Sequence, residues 1–509
     1  MNRIRLGGRV RRPSVEEIQA LAAAEYMDVR GQEALDVHEL IDKLLDEFDR
    51  LDDLPQPRFE LRYKERDPGY RPSVDEDPYN VFIRKCHVKG ADTGKLAGKR
   101  VGVKDAIFVA GVPLTHGSRV LVGYTPDVDA VVVERLLDAG ASIVGKLNQD
   151  DFANGGTSET SAFGCVRNPH HPEYSAGGSS SGSGAAVASG DVDLALGVDQ
   201  RGSGRIPAAW CGVASIKPTH GRVPTFGIVY MDHSLDYVCP IAKTVQEVAL
   251  TLEVIAGPDR RDPQVSQAPA SVGRHPVGVD RPLSSVRIGL LKEAFEWQVS
   301  EPDVSERVRT AVRRLGELGV AVEEISIPLF RYADAIWTGV VTHGMTALFQ
   351  SDAEGYWRGG YYNVGWQEAF GKFRRASADD LQLFTKTRLV LGRYLQSKYM
   401  STYYSKAQNL RMLLRDQVDQ ALERVDVLAM PTTPQKPLKL VDDPDLKRVV
   451  GRARDMTVNT SAFDLTGHPA LTVPCGFSDG LPVGLQLVGR HWEETLLFSV
   501  GEAVEQAQG

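Results

Sequence analysis

Two serines and a lysine carry the most suggestive chemistry in this chain of 509 residues. Ser179 lies in the run Gly177-Gly178-Ser179-Ser180-Ser181-Gly182-Ser183-Gly184, and Ser203 in Gly197-Val198-Asp199-Gln200-Arg201-Gly202-Ser203-Gly204-Arg205. Lys104 closes the apolar stretch Val101-Gly102-Val103. A serine hydroxyl becomes a nucleophile when a nearby base takes its proton, and a neutral lysine can be that base. Three other readings compete. A flexible linker does not fit, because the Gly/Ser run leads directly into Ala185-Ala186-Val187-Ala188 and the apolar Leu194–Val198, which must be buried. Phosphate binding lacks both the Walker A pattern and a GxGxxG motif. A nucleophile elbow is matched by Gly178–Gly182 with Ser180 at its centre, but it needs a buried strand just before the serine. The residues there, His170-His171-Pro172-Glu173-Tyr174-Ser175-Ala176, cannot supply one. Taken alone, Lys104 also fits a lysine that snorkels from a strand end.

The elements that must position these groups follow from hydrophobic spacing. Residues 15–27 and 33–51 have helical periodicity, and 52–80, rich in Pro, Asp and Arg, read as an extended arm. An α/β pattern starts near Arg100, with strands at 100–103, 107–109, 142–147 and 194–198 and helices at 129–139, 185–189 and 244–256. The proline-rich residues 257–285 read as an excursion or hinge. Residues 286–291, 304–318 and 320–325 read as strand, helix, strand, a parallel crossover unit. Residues 330–425 are mainly helical and aromatic-rich, and the aromatic-rich helices of 330–400 are the expected pocket wall. Strands at 425–430, 470–474 and 483–488 and a helix at 493–505 close the chain.

Composition excludes several classes. There are 59 Lys and Arg against 67 Asp and Glu, a net charge of −8, so no basic face for nucleic acid is expected. No apolar run approaches the ~18 residues of a membrane span, and Met1–Gly8 lacks the apolar core of a secretory signal. The five cysteines are odd in number and widely spaced, which points to reduced thiols and a cytoplasmic protein. The eleven histidines form no HExxH, and neither a metal nor a cofactor is expected. Glycine is the outlier: 49 residues, about 10% against a usual ~7%, with a conspicuous share around the two serines.

These motifs resemble the amidase signature family. The resemblance is carried by Gly177–Ser183, by the long run from Gly197 through Arg205-Ile206-Pro207-Ala208 and Lys217-Pro218-Thr219-His220-Gly221-Arg222-Val223, and by Gly102-Val103-Lys104-Asp105. Near the C-terminus it is carried by Met430–Pro434, Asn459-Thr460, Gly467–Ala470 and Gly480–Gln486. It runs from about residue 80 to the end. It implies that Ser203 is the nucleophile, that Ser179 is a bridging serine following a cis peptide bond, and that Lys104 is the base. It also implies that the backbone N–H groups of Gln200, Arg201, Gly202 and Ser203 form an oxyanion hole. The implied fold is α/β: a large mixed, mostly parallel β-sheet with helices on both faces. A helical arm is expected over 1–80 and a catalytic domain over 81–509, with a helical insertion at about 330–425. The implied reaction is hydrolysis of a small-molecule carboxamide to carboxylate and ammonia or amine through an acyl-enzyme, as in bacterial broad-specificity amidases. The alternatives are a ureide, carbamate or hydrazide substrate, or the A-type component of an amidotransferase, which needs partner proteins. Neither nucleic acid nor membrane is an expected partner; a homodimer through the helical arm is. Three positions depart from the family pattern: Arg201 and Ser181 stand where glycine is usual, and Gly204 where isoleucine is. Arg201 keeps its N–H, resists positive φ, and is either drift within the family or a residue that shapes the pocket or binds a polar or acidic substrate group.

Overall fold

Fourteen strands, numbered in chain order, organise the computed structural model, which describes residues 10–262, 264–265, 282–441 and 445–508. They are β1 (Arg66–Tyr70), β2 (Phe82–Lys89), β3 (Arg100–Lys104), β4 (Ser142–Leu147), β5 (Arg167–Asn168), β6 (His171–Ser175), β7 (Leu194–Asp199), β8 (Ala214–Lys217), β9 (Tyr237–Ala242), β10 (Arg287–Leu291), β11 (Ala321–Ile325), β12 (Val427–Pro431), β13 (Ala470–Ser478) and β14 (Leu481–Val488). Twelve form one sheet in the order β1-β2-β4-β3-β7-β9-β8-β13-β14-β12-β10-β11, and β5 and β6 form a separate ribbon.

The sheet is mixed, as expected, but its parallel pairings are confined to two blocks. β3 lies between β4 and β7, and β10 between β11 and β12. Each block contains a helical crossover: Val131–Asp138 between β3 and β4, and Pro302–Glu317 between β10 and β11. The other neighbours pair antiparallel, so the expectation of a mostly parallel sheet is corrected. One cause is local. Asp479 and Gly480 both have positive φ (52° and 76°), the backbone of a two-residue hairpin turn, which can join only antiparallel strands. Ile107–Val109 is not a strand; Ile107 makes a single bridge, to Ile228.

β7 shows how the sheet sorts its residues. Leu194, Leu196 and Val198 enter the main core, while Ala195 enters a second, smaller core with Ala185, Ala186 and Val187, the alternation a pleated strand imposes. The helices Ser181–Ser189 and Arg205–Cys211 pack on each other over β7 and β14. Val245–Ile255, Glu494–Gln508 and Pro302–Glu317 form another layer of neighbours against β9 and β13. Residues 330–425 hold four long helices: Ala333–Gln350, Val364–Ser377, Leu383–Tyr399 and Thr402–Arg424.

The chain divides into two compact units, Met1–Arg62 and Tyr63–Gly509. The division falls before the expected boundary near 80, because β1 pairs with β2. The described part of the first unit is a pair of helices, Val15–Ala24 and Gly31–Asp52. The first begins with a capping box in which Ser14 and Glu17 each accept the other's backbone N–H. Most of the proline-rich excursion at 257–285 lies outside the described residues. Among the described residues, no helix is long and apolar enough to cross a membrane.

Candidate active site

Lys104 is the last residue of β3 and is fully buried. Its Nζ donates to Ser179 Oγ at 2.7 Å and lies 3.4 Å from the carbonyl oxygen of Val198. Removal from water disfavours the ammonium and lowers its pKa to about 8, while Asp150, Asp199 and Asp236 oppose the shift. Burial wins because none of these carboxylates forms an ion pair with Nζ. Lys104 is thus not a snorkelling lysine.

The peptide bond between Gly178 and Ser179 is cis. Asp150 organises the loop beneath it: Oδ2 accepts the N–H groups of Gly156 (3.0 Å) and Ser158 (3.3 Å), and Oδ1 accepts the Thr160 hydroxyl (2.7 Å). A Cβ on Gly178 would sit 2.3 Å from Asp150 Oδ2, so only glycine fits. Ser180, the centre of the GxSxG match, is tied to β7. Its Oγ donates to the Val198 carbonyl at 3.0 Å and accepts the Val198 N–H at 3.2 Å.

Asp199, at the end of β7, frames the loop that carries Ser203. Its carboxylate accepts the N–H groups of Gly202 (2.7 Å), Gly204 (3.0 Å) and Arg205 (3.1 Å). The Arg205 guanidinium spans two carboxylates, reaching Asp199 at 3.0 Å and Asp464 at 2.6 Å, all with side chains fully buried. Two carboxylates sharing one cation do not ionise equally. Burial raises Asp464 well above the usual carboxylate range, whereas Asp199, despite its own burial, is held below that range by Arg205. The frame corrects one expectation: the Gly202 N–H is used by Asp199 and is not a free oxyanion donor. The N–H groups of Gln200, Arg201 and Ser203 have no acceptor among the described residues.

Ser203 and Ser179 line the same recess, of about 250 Å³, together with Lys104, Gln200, His116 and Asp236. Ser203 Oγ donates to the Gln200 carbonyl at 3.2 Å. A second recess of about 350 Å³ shares Gln200 and Ser203 and is walled by Arg201, Trp337, Phe384 and Arg388. Arg201 has φ +72°, and its side chain is engaged. Nε donates to Asp334 Oδ1 at 2.7 Å, and the guanidinium stacks 4.4 Å from the Trp337 ring centre. Arg388 is the opposite case. It is 8% exposed and stacks on Trp337 and Phe384, with no hydrogen-bond or ion-pair partner among the described residues. Burial, and secondarily Arg201, lower its pKa to about 9.

The structure therefore brings Lys104, Ser179, Ser203, Gln200 and Arg201 to one cleft. Asp236 and Arg388 join them without having been singled out in the sequence, and Trp337 comes from the aromatic-rich helices expected to wall the pocket. Asp199 and Arg205 stood inside the quoted motif, and their types, an acid and a base six residues apart, were the available signal. Among the described residues, one group has metal-ligand chemistry, Asp419 with His468 and His491. His468 Nε2 and Asp419 Oδ1 already share a hydrogen bond of 2.9 Å, and the group contains no residue of either recess.

The family model described as Amidase matches 83–498. The A-type component of glutamyl-tRNA(Gln) amidotransferase from Haloarcula marismortui is 41% identical over 432 residues, which is 84% of this chain and 99% of the relative. Among solved structures, the component of the same name from Thermotoga maritima is 32% identical with a TM-score of 0.68, covering 84% of this chain and 88% of that one. The peptide amidase PAM, in complex with the competitive inhibitor chymostatin, is 28% identical with a TM-score of 0.69, covering 85% and 91%.

Proposed function

The chain belongs to the Amidase family, and from that premise we propose that it hydrolyses a small carboxamide to a carboxylate and ammonia, with Ser203 as nucleophile, Ser179 as proton bridge and Lys104 as base. The observation that carries this reading is the 2.7 Å hydrogen bond between a fully buried Lys104 and Ser179 in the recess that also holds Ser203. Neutral Lys104 takes the Ser179 proton as Ser179 takes that of Ser203. Ser203 Oγ bonds to the carbonyl carbon, and the Arg201 and Ser203 N–H groups receive the developing oxyanion. The C–N bond then breaks as the nitrogen takes a proton from Ser179, which Lys104 replenishes. Water, deprotonated along the same path, cleaves the acyl-enzyme and restores Ser203.

Arg388 extends the reading to the substrate. A buried guanidinium without a partner is costly, and one that walls the cleft can be paired by an anionic group on the acyl side of the substrate. The linear motifs point to Arg201 for that role, but Arg201 is already paired with Asp334.

A second reading is favoured by the relatives named as the A-type component of an amidotransferase, one of which matches over nearly its whole length. On that reading the same cleft releases ammonia for a partner protein. Steady-state assays of the purified single chain on amides, ureides, carbamates and hydrazides, with and without a carboxylate, separate the two. Hydrolysis by the chain alone, abolished in Ser203→Ala and showing a raised KM for acidic amides in Arg388→Met, supports the first. No turnover without a partner protein favours the second.

A further inference from the structure

We propose that Gln200, oriented by Asp236, reads the nitrogen side of the scissile bond and favours turnover of substrates whose leaving nitrogen carries hydrogen. This rests on the amide-hydrolase reading above. The two recesses meet at Ser203 and differ in character. The leaving nitrogen must receive its proton from Ser179, which lines the inner recess with Lys104, Gln200 and Asp236. The acyl portion then extends into the outer recess, toward Trp337 and Arg388.

Gln200 is 5% exposed and lines both recesses. Its Nε2 donates to Asp236 Oδ1 at 3.1 Å. The other oxygen of Asp236 is fixed by the N–H groups of Met231 (2.8 Å) and Asp232 (3.0 Å). An ionised carboxylate only accepts hydrogen bonds, so Asp236 decides which end of the Gln200 carboxamide it meets. Gln200 Oε1 is left buried and without a donor among the described residues. A buried carbonyl oxygen without a donor is costly, and supplying one recovers that cost. A primary amide offers an N–H there while keeping its nitrogen lone pair free for the Ser179 proton. An ester or an N,N-dialkyl amide offers none, and the dialkyl nitrogen also places two extra carbons in the smaller recess.

The test compares kcat/KM at pH 9 for the primary amide, the N,N-dimethyl amide and the methyl ester of one acid that the wild type accepts. The variants are Gln200→Met, which keeps length but removes the acceptor, and Asp236→Asn. In Asp236→Asn the two backbone N–H groups still need an acceptor, so the new amide turns its NH2 toward Gln200, which then accepts with Oε1 and presents its own NH2 to the recess. The amide-to-ester ratio is expected to fall about tenfold in Gln200→Met, the scale of one lost hydrogen bond, and at least as far in Asp236→Asn. The ester rate reports in the same preparation that the site is folded. An active wild type whose ratio stays the same in both variants, including the case where amide and ester rates fall together, overturns this inference alone. A wild type inert on all three compounds overturns the hydrolase reading and this inference with it.

Discussion

Replacing Lys104 with methionine separates what the buried base does for chemistry from what it costs the fold. A lysine that ordinarily titrates at 10.5 and here titrates at about 8 destabilises the folded chain by ~3 kcal/mol whenever it is charged. Lys104→Met removes that cost and loses the hydrogen bond to Ser179, worth about 1 kcal/mol. The variant is therefore expected to be more stable than the wild type by ~2 kcal/mol at pH 7, and catalytically dead. The sign depends on pH. Below about 8 the folded and unfolded chains both carry the proton, and the folded wild type bears the whole cost. Between about 8 and 10.5 the unfolded chain holds a proton that the folded chain has released, so wild-type stability rises with pH. Above 10.5 both forms are neutral and the advantage of the variant is gone. Urea unfolding of the two proteins at pH 7 and at pH 11 measures the difference directly, since the other titrating groups are common to both. A stability gap of the same size at both pH values, or a variant less stable at pH 7, would refute the claim that burial is what lowers this lysine.

The same titration governs rate: kcat/KM on an uncharged amide is expected to fall about tenfold per pH unit below about 8, and a flat profile from pH 6 to 9 would exclude Lys104 as the base. Gly178→Ala places a Cβ 2.3 Å from Asp150 Oδ2 and 2.9 Å from the Gly156 carbonyl carbon. It should lower stability by ~1–3 kcal/mol and depress kcat more than KM; wild-type kinetics in this variant would show that the loop has room to give. Arg201→Gly restores the glycine usual in the family. It relieves the left-handed backbone, worth ~1–2 kcal/mol, but strips Asp334 of its main cation, a loss of ~3–5 kcal/mol for a buried pair. The net expectation is a loss of ~2 kcal/mol in chemical unfolding, and a stabilised variant would mean the Asp334 pair contributes little.

The groups legible in the sequence are those whose task is done by backbone or by neighbours in the chain. Lys104 ends a buried apolar strand, Gly178 precedes Ser179, and Ser203 follows Asp199 by four residues, so each leaves a linear pattern. The crossover between β10 and β11 was legible for the same reason, because strand, helix and strand follow one another in order, whereas between β3 and β4 the strand expected at 107–109 hid the other. Strand pairing across the sheet was not legible. β8 meets β13, and β12 meets β14, only through long returns, and the one local sign, Asp479-Gly480, settles only the β13–β14 hairpin. Charge pairing was least legible of all. The sequence places a cation at 201 beside the nucleophile, which reads as a substrate contact until Asp334, 133 residues away on the helix Ala333–Gln350, is found against it. Arg388 lies on the buried stripe Thr385, Arg388 and Gly392 of the helix Leu383–Tyr399, but neither Thr385 nor Gly392 is a large apolar residue, so the sequence gives that face no hydrophobic mark. It becomes the cleft's unpaired cation because Trp337 and Phe384 cover its faces while Asp334 is claimed by Arg201. A pair and its leftover are properties of packing between helices, and the choice between Arg201 and Arg388 as the anion's partner follows from which guanidinium the fold had already neutralised.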